Sequence, residues 1–209
     1  MAHYYDTNPS IESNKKSIEY RFNGINFSFI SDTDVFSRND IDFGTNLLIT
    51  ESVRDIKDNA YKAFSIMDLG CGYGVVGIVM KAIFKKAKVV QVDINARAIG
   101  LAKENAKLNG VNIDIVKQSD VLSAIDEEEK GEGFDIVITN PPVRAGKAKV
   151  LEFYDQAFES MHEDSVIYVV LQRKQGAPST QKKLEELFGN CETVAVDSGY
   201  RVMKSVKQR

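Results

Sequence analysis

The chain has 209 residues and a mass of 23.3 kDa, a size at which one domain hides roughly 70% of its unfolded surface. With 43% hydrophobic and 27% charged residues, its composition is globular and excludes an intrinsically disordered chain. A net charge of −3 excludes a surface covered in nucleic-acid-binding charge, but not a local basic face. Residues 1–17 are polar, with no apolar core and no cleavage site, so a cytoplasmic protein is expected. Residues 18–22 and 25–30 are short alternating segments around Asn23-Gly24, a strong two-residue hairpin signal. After a polar loop, Thr45 is placed to cap an apolar helix through Leu47, Leu48, Ile49 and Val53. The chain therefore divides into an N-terminal extension, residues 1–44, with a hairpin and a loop facing the site, and a main domain, residues 45–209.

From Ser65 onward the pattern is regular. Apolar runs at 66–69, 89–92, 113–116, 134–138 and 166–171 predict strands, alternating with helices at 75–84, 96–108, 150–161 and 179–188. Short apolar strands alternating with amphipathic helices give a parallel sheet covered on both faces. Residues 192–196 and 200–206 read as a closing pair turned at Ser198-Gly199. The predicted fold is α/β: a Rossmann-like, doubly wound, mostly parallel seven-stranded sheet with an antiparallel C-terminal strand, preceded by a small hairpin and helix element. No apolar run reaches the ~18 residues a membrane helix needs, and the best candidate, 75–84, is interrupted by Lys81. Cys71 and Cys191 are too few for a disulfide framework or a zinc site, and His3 and His162 lack metal-ligand spacing. No metal is expected, and no membrane partner. The charge is uneven: from Pro141 onward there are 11 basic against 9 acidic residues, which leaves 16 against 21 before it. The last nine residues hold Arg201, Lys204, Lys207 and Arg209 with no acid, which by itself reads as a solvated basic tail.

In such a fold functional groups gather at the carboxyl ends of the strands, and three motifs fall there. The first strand ends in Asp68-Leu69-Gly70-Cys71-Gly72-Tyr73-Gly74 and runs straight into a helix. Glycines at alternate positions permit left-handed backbone angles and a ligand's close approach to the main chain. Gly72, Gly74 and Gly77 also satisfy G-x-G-x-x-G, a weak signature alone. Asp93, followed by Ile94, ends the second strand, where a carboxylate can accept both hydroxyls of a ribose. Asp120 and Val121 follow the third strand, where Asp120 can read an adenine amino group. Together these residues point to an adenosine-bearing cofactor. Asp68 sits badly beside a pyrophosphate at the helix N-terminus and suits an ammonium and a sulfonium, which S-adenosylmethionine carries.

The fourth strand runs into Asn140-Pro141-Pro142-Val143. Two prolines end sheet pairing and stiffen the backbone. The Asn140 side-chain oxygen and the Pro141 carbonyl can accept hydrogen bonds from one exocyclic amine. That arrangement aims the nitrogen lone pair at a methyl donor and stabilises the positive charge that develops.

On these residues the chain resembles a class I S-adenosylmethionine-dependent methyltransferase. More narrowly it is similar to the RsmC-type group, bacterial methyltransferases acting on guanine N2 of small-subunit ribosomal RNA. The narrower likeness rests on Phe36-Ser37-Arg38, Asp42-Phe43-Gly44-Thr45 before Leu47-Leu48, Asn140 to Gly146, and Gly199 to Val202. The resemblance implies S-adenosylmethionine as cofactor, held by Gly44, Thr45, Asp68, Gly70, Gly72, Gly74, Asp93, Ile94, Asp120, Val121 and Asn140. It implies Asn140, Pro141 and Pro142 as the catalytic segment, and Phe36, Arg38, Val143, Arg144, Lys147 and Lys149 on the substrate side. The implied partner is small-subunit ribosomal RNA or an assembling small ribosomal subunit. Two features depart from the group. Its larger members carry a second, degenerate methyltransferase-like domain, for which this chain has no room, and many Asn-Pro-Pro enzymes place an aromatic residue where Val143 stands. Either Arg144, Phe36 or Tyr154 then stacks on the base, or the substrate is held in another way. Three other readings stay open: a glutamine amide or adenine N6 as acceptor, a nicotinamide-dependent oxidoreductase, and a catalytically silent binding module.

Overall fold

Odd and even residues of the central strands face opposite ways, and both sets are apolar, so each face of the sheet needs a helical cover. The computed structural model describes residues 12–59, 64–118 and 133–208. In chain order the elements are β1 (Lys16–Phe22), β2 (Ile25–Ser31), α1 (Phe43–Asp58), β3 (Ser65–Leu69), α2 (Val75–Ile83), β4 (Lys88–Asp93) and α3 (Ala96–Leu108). Then come β5 (Ile115–Gln118), β6 (Phe134–Thr139), α4 (Lys147–Glu159), β7 (Met161–Gln172), α5 (Ala177–Phe188), β8 (Glu192–Asp197) and β9 (Tyr200–Val206). The main sheet has seven strands in the order β5-β4-β3-β6-β7-β9-β8. The first five run parallel, while β9 is antiparallel to β7 and β8 to β9. This is the mostly parallel, doubly wound α/β fold expected from the sequence, with an antiparallel C-terminal end.

One face buries Ile66, Val89, Ile136, Ile138, Tyr168 and Val170 against α1, α2, α3 and the β1–β2 hairpin. The other buries Met67, Val90, Val92, Val137, Ile167 and Val169 against α4 and α5. The hairpin turns at Asn23 and Gly24, both at positive φ, as an Asn-Gly turn requires. Its second strand is held by α3 through a side-chain ladder. Asn105 and Asn109, one turn apart, each exchange two hydrogen bonds with the backbone of β2: Ile30 N–H donates to Asn105 Oδ1 at 2.7 Å, and Ser28 N–H to Asn109 Oδ1 at 3.0 Å.

Local boundaries differ from the expected ones for identifiable reasons. The cap of α1 is Asp42, whose carboxylate accepts from Thr45 N–H at 3.0 Å, so Thr45 lies inside the helix. The third parallel strand begins at Ile115, not 113. Asp114 is engaged beforehand, accepting from Val89 N–H at 2.7 Å and Lys81 Nζ at 2.9 Å. Two of the basic residues near the C-terminus, Lys204 and Lys207, are engaged within the fold, and Arg209 lies outside the described residues. Lys204 pairs with Asp55 at 2.6 Å, and Lys207 donates to the carbonyls of Phe158 near the end of α4 and Met161 at the start of β7. Among the described residues no helix is long and apolar enough to cross a membrane, and no group of three His, Cys, Asp or Glu side chains is placed to hold a metal ion.

Candidate functional site

The carboxyl ends of β3, β4 and β6 open into one cleft of about 1010 Å³, counting its open mouth. Its wall on the β3 side is the glycine turn. Gly70, Gly72 and Gly74 all have positive φ, at 72°, 55° and 95°. At Gly72 a Cβ would meet nothing within 4 Å, so the backbone here faces open cleft. Over Gly70 lies the ring of Phe153, 3.3 Å from where a Cβ would stand.

Asp68, the last inward residue before the turn, is 2% exposed. Its Oδ2 accepts from Gly77 N–H at 2.8 Å and from Gln91 Nε2 at 3.0 Å. It thus satisfies one of the open N–H groups of α2, a helix whose cap, Gly74, has no side chain to do so. Burial pushes the Asp68 carboxyl up to about 7, against the hydrogen bonds that favour its charged form. Asp93, at the end of β4, accepts from Gly72 N–H on one oxygen and from Asn95 N–H on the other, both at 2.9 Å. The backbone N–H of Ile94 engages the same carboxylate, which keeps acceptor capacity for a further donor. Burial raises this carboxyl too. Cys71 also lines the cleft, and burial, with the two carboxylates, pushes its thiol up.

Asn140 follows β6 on the opposite wall. Its side-chain nitrogen donates to Thr45 Oγ1 at 3.0 Å and to Asp42 Oδ2 at 3.2 Å. An ionised carboxylate only accepts, so the amide nitrogen must face Asp42, and Oδ1 points elsewhere. Pro141 is buried, and its carbonyl already accepts Val143 N–H at 2.8 Å. One of its two lone pairs is therefore taken, and Asn140 is left as the better acceptor for an incoming amine.

Of the residues singled out from sequence, Phe36, Thr45, Asp68, Gly70, Gly72, Asp93, Ile94, Asn140, Pro141 and Pro142 line this cleft. Gly44 and Gly74 lie beside it and act on the backbone. A Cβ at Gly44 would stand 2.6 Å from the Tyr200 ring, and Gly74 offers its carbonyl to Gln91. Val143 follows the motif in a short 3-10 turn, with Arg144, Lys147 and Lys149 exposed beyond it; Lys149 pairs with Glu152 at 2.9 Å. Arg38 binds Asn14 O at 3.0 Å, away from the lining. Asp120 and Val121 lie outside the described residues. Tyr154 cannot stack on a base, because it is 0% exposed and shares a hydrogen bond with Thr180. Phe36 lines the cleft at 39% exposure. Sequence reasoning missed Val35, Ile41 and Phe153 as wall residues, and Asp42 as the partner of Asn140. Asp42 carried one usable signal: an Asp three residues before Thr45, the spacing of an N-cap carboxylate to the N3 position.

The family model described as the methyltransferase small domain matches residues 26–204. An uncharacterized Bacillus subtilis protein, YbxB, is 38% identical over 205 residues, 98% of each chain. Ribosomal RNA small subunit methyltransferase C of Aliivibrio salmonicida is 30% identical over 178 residues, 83% of this chain and 48% of its own. Ribosomal RNA large subunit methyltransferase G of Shewanella denitrificans is 27% identical over 181 residues, 84% of this chain and 44% of its own. Among solved structures, the Thermus thermophilus 16S rRNA N2 G1207 methyltransferase, in complex with AdoMet and guanosine, superposes with a TM-score of 0.82 at 25% identity. That match covers 96% of this chain and 52% of the Thermus one. The chain thus spans about half the length of the named methyltransferases and nearly all of the Bacillus protein.

Proposed function

This chain belongs to the methyltransferase small domain family, whose cofactor is S-adenosylmethionine, and from that premise we propose that it methylates an exocyclic amine of ribosomal RNA, guanine N2 of the small-subunit RNA. The observation that carries this reading is Asn140. Its amide nitrogen is held by Asp42 and Thr45, which frees its oxygen for an amine brought in through the cleft.

The residues present fit the cofactor. Asp93, held by the backbone N–H groups of Gly72, Ile94 and Asn95, keeps acceptor capacity for a ribose hydroxyl, and the open face of Gly72 leaves room for a ligand against the main chain. Asp68 places a carboxyl where a pyrophosphate would sit at α2, which disfavours a nicotinamide dinucleotide. When bound, S-adenosylmethionine supplies an electrophilic methyl group on a sulfonium. The protein's own part is to hold and orient. Asn140 Oδ1 accepts a hydrogen bond from the amine, aligns its lone pair, and offsets the positive charge that grows on nitrogen. The surplus proton leaves after transfer, so the site needs no strong base. The apolar wall of Val35, Phe36, Ile41 and Phe153 excludes water around the reacting atoms, and Phe36 is the aromatic surface available to a splayed base in place of Val143.

The test is incubation of the protein with labelled S-adenosylmethionine and separate small and large ribosomal subunits, or their RNA, from a strain lacking it, followed by nucleoside mass spectrometry. The expected product is N2-methylguanosine in the small-subunit RNA. Label in the large-subunit RNA moves the target to the other subunit. N6-methyladenosine in the RNA, or label recovered instead in the protein fraction as N5-methylglutamine, removes the guanine assignment altogether.

A further inference from the structure

Asp42 lines the cleft beside Asn140, and it decides which way the Asn140 amide faces. An asparagine amide turns over easily, and Thr45 Oγ1, 3.0 Å from it, imposes no direction because a hydroxyl both donates and accepts. Only the Asp42 carboxylate, 3.2 Å away, is restricted to accepting. With the amide turned over, two oxygens would oppose each other at that distance, and the amide nitrogen would face the acceptor amine as a competing donor.

We propose that Asp42 is a positioning residue that locks the Asn140 amide with its oxygen toward the acceptor amine; this rests on the reading of Asn140 as the amine-orienting group. Asp42 is itself fixed from two sides. Its Oδ2 also accepts Thr45 N–H at 3.0 Å as the cap of α1, and Tyr200 OH donates to its Oδ1 at 3.3 Å. The Tyr200 ring packs on Phe43, with centroids 5.6 Å apart, and on the bare backbone of Gly44. A loop, a helix start and the C-terminal strand thus converge on one carboxylate, and through it on one amide.

Three variants separate positioning from capping. In Asp42→Ser the hydroxyl still caps α1 but is too short to reach Asn140. In Asp42→Asn an oxygen remains for both contacts. In Asp42→Ala both are lost. The expected result for Asp42→Ser is a kcat about 10-fold or more below wild type, with unchanged thermal midpoint and unchanged S-adenosylmethionine affinity by calorimetry. Asp42→Asn should restore most of the rate. A normal kcat in Asp42→Ser overturns the proposal, and so does a rate loss matched by an equal loss of cofactor affinity. The amide is also read directly, by NMR exchange of the Asn140 side-chain protons. They should be protected in wild type and Asp42→Asn and unprotected in Asp42→Ser; equal exchange in all three overturns the lock. This readout needs no turnover. A wild-type protein that binds cofactor but methylates no ribosomal RNA therefore counts against the proposed function, while the exchange result still decides the role of Asp42.

Discussion

Asp68 shows how one buried carboxyl serves structure and site together. It holds the first turn of α2 through Gly77 N–H while standing in the cleft wall. Burial places its folded-state value at about 7, above the roughly 3.9 of an unfolded chain. Between about pH 4 and pH 7 the folded protein therefore keeps a proton that the unfolded chain has lost. Stability falls as pH rises through that window and levels off above it. Asp93 is raised by burial as well and acts with the same sign. The thermal midpoint of cofactor-free protein should thus drop between roughly pH 5 and pH 8. In Asp68→Asn, which keeps an acceptor for Gly77 and Gln91 without a charge to bury, the drop should be clearly smaller. Parallel melting curves at the two pH values check this, and identical slopes would remove Asp68 as the cause.

At the scale of elements, the hairpin is joined to the domain by side chains as well as by packing. Asn105 is buried on α3 and serves three backbone groups: it accepts from Ile30 N–H and donates to the carbonyls of Ile30 and Tyr73. One asparagine so links the open edge of β2 to the residue that leads into α2. The loop after β2 supplies Val35, Phe36, Ser37, Ile41 and Asp42 to the cleft, so docking of the hairpin and shaping of the site are coupled. Asn105→Ala strands buried polar groups at about 1–3 kcal/mol each. It is expected to destabilise the protein by about 2–4 kcal/mol, or roughly 5–15 °C in thermal midpoint, and to weaken cofactor binding alongside. A melting curve and a calorimetric titration of the same variant measure both. A stable variant with weak binding would instead assign Asn105 to the site alone.

Over the whole molecule, the sheet sorts charge as well as hydrophobicity. Arg144 and Lys147 after β6, and Arg173 and Lys174 after β7, are exposed beside the cleft on neighbouring strands. The turn between β8 and β9 sits at the same end, where Gly199 O accepts from Arg173 N–H at 2.9 Å. Lys204 and Lys207, nearer the C-terminus, are used internally, Lys204 by Asp55 and Lys207 by the carbonyls of Phe158 and Met161. Four basic residues of the second part of the chain are thus exposed at one end of the sheet. For an RNA substrate, binding should weaken with salt, by a log–log slope of about −0.7 for each single-strand phosphate neutralised. Charge removal by Arg144→Gln and Lys147→Gln should flatten that slope and leave cofactor affinity in place. Lys149→Gln should add little, because Glu152 already holds this lysine. Filter binding across a salt series checks the three variants, and an unchanged slope would move the RNA contact to another face.

By itself the sequence determined the strand and helix alternation, the hairpin turn at Asn23-Gly24, the glycine turn after β3 and the Asn-Pro-Pro segment after β6. Each is a local matter. Periodicity decides which face is buried, and glycine and proline restrict the backbone wherever the chain goes. The placement of Asp68, Asp93 and Asn140 along one cleft followed from that, since parallel strands bring their carboxyl ends together. Tertiary structure decided what each side chain meets. Asp42 reaches Asn140 across 98 residues and Tyr200 across 158. Tyr154 turned inward to Thr180, Lys204 went to Asp55, and Lys207 to the carbonyls of Phe158 and Met161. Such pairings have no local signature, because they exist only once β9 has inserted beside β7 and α1 has closed over the sheet.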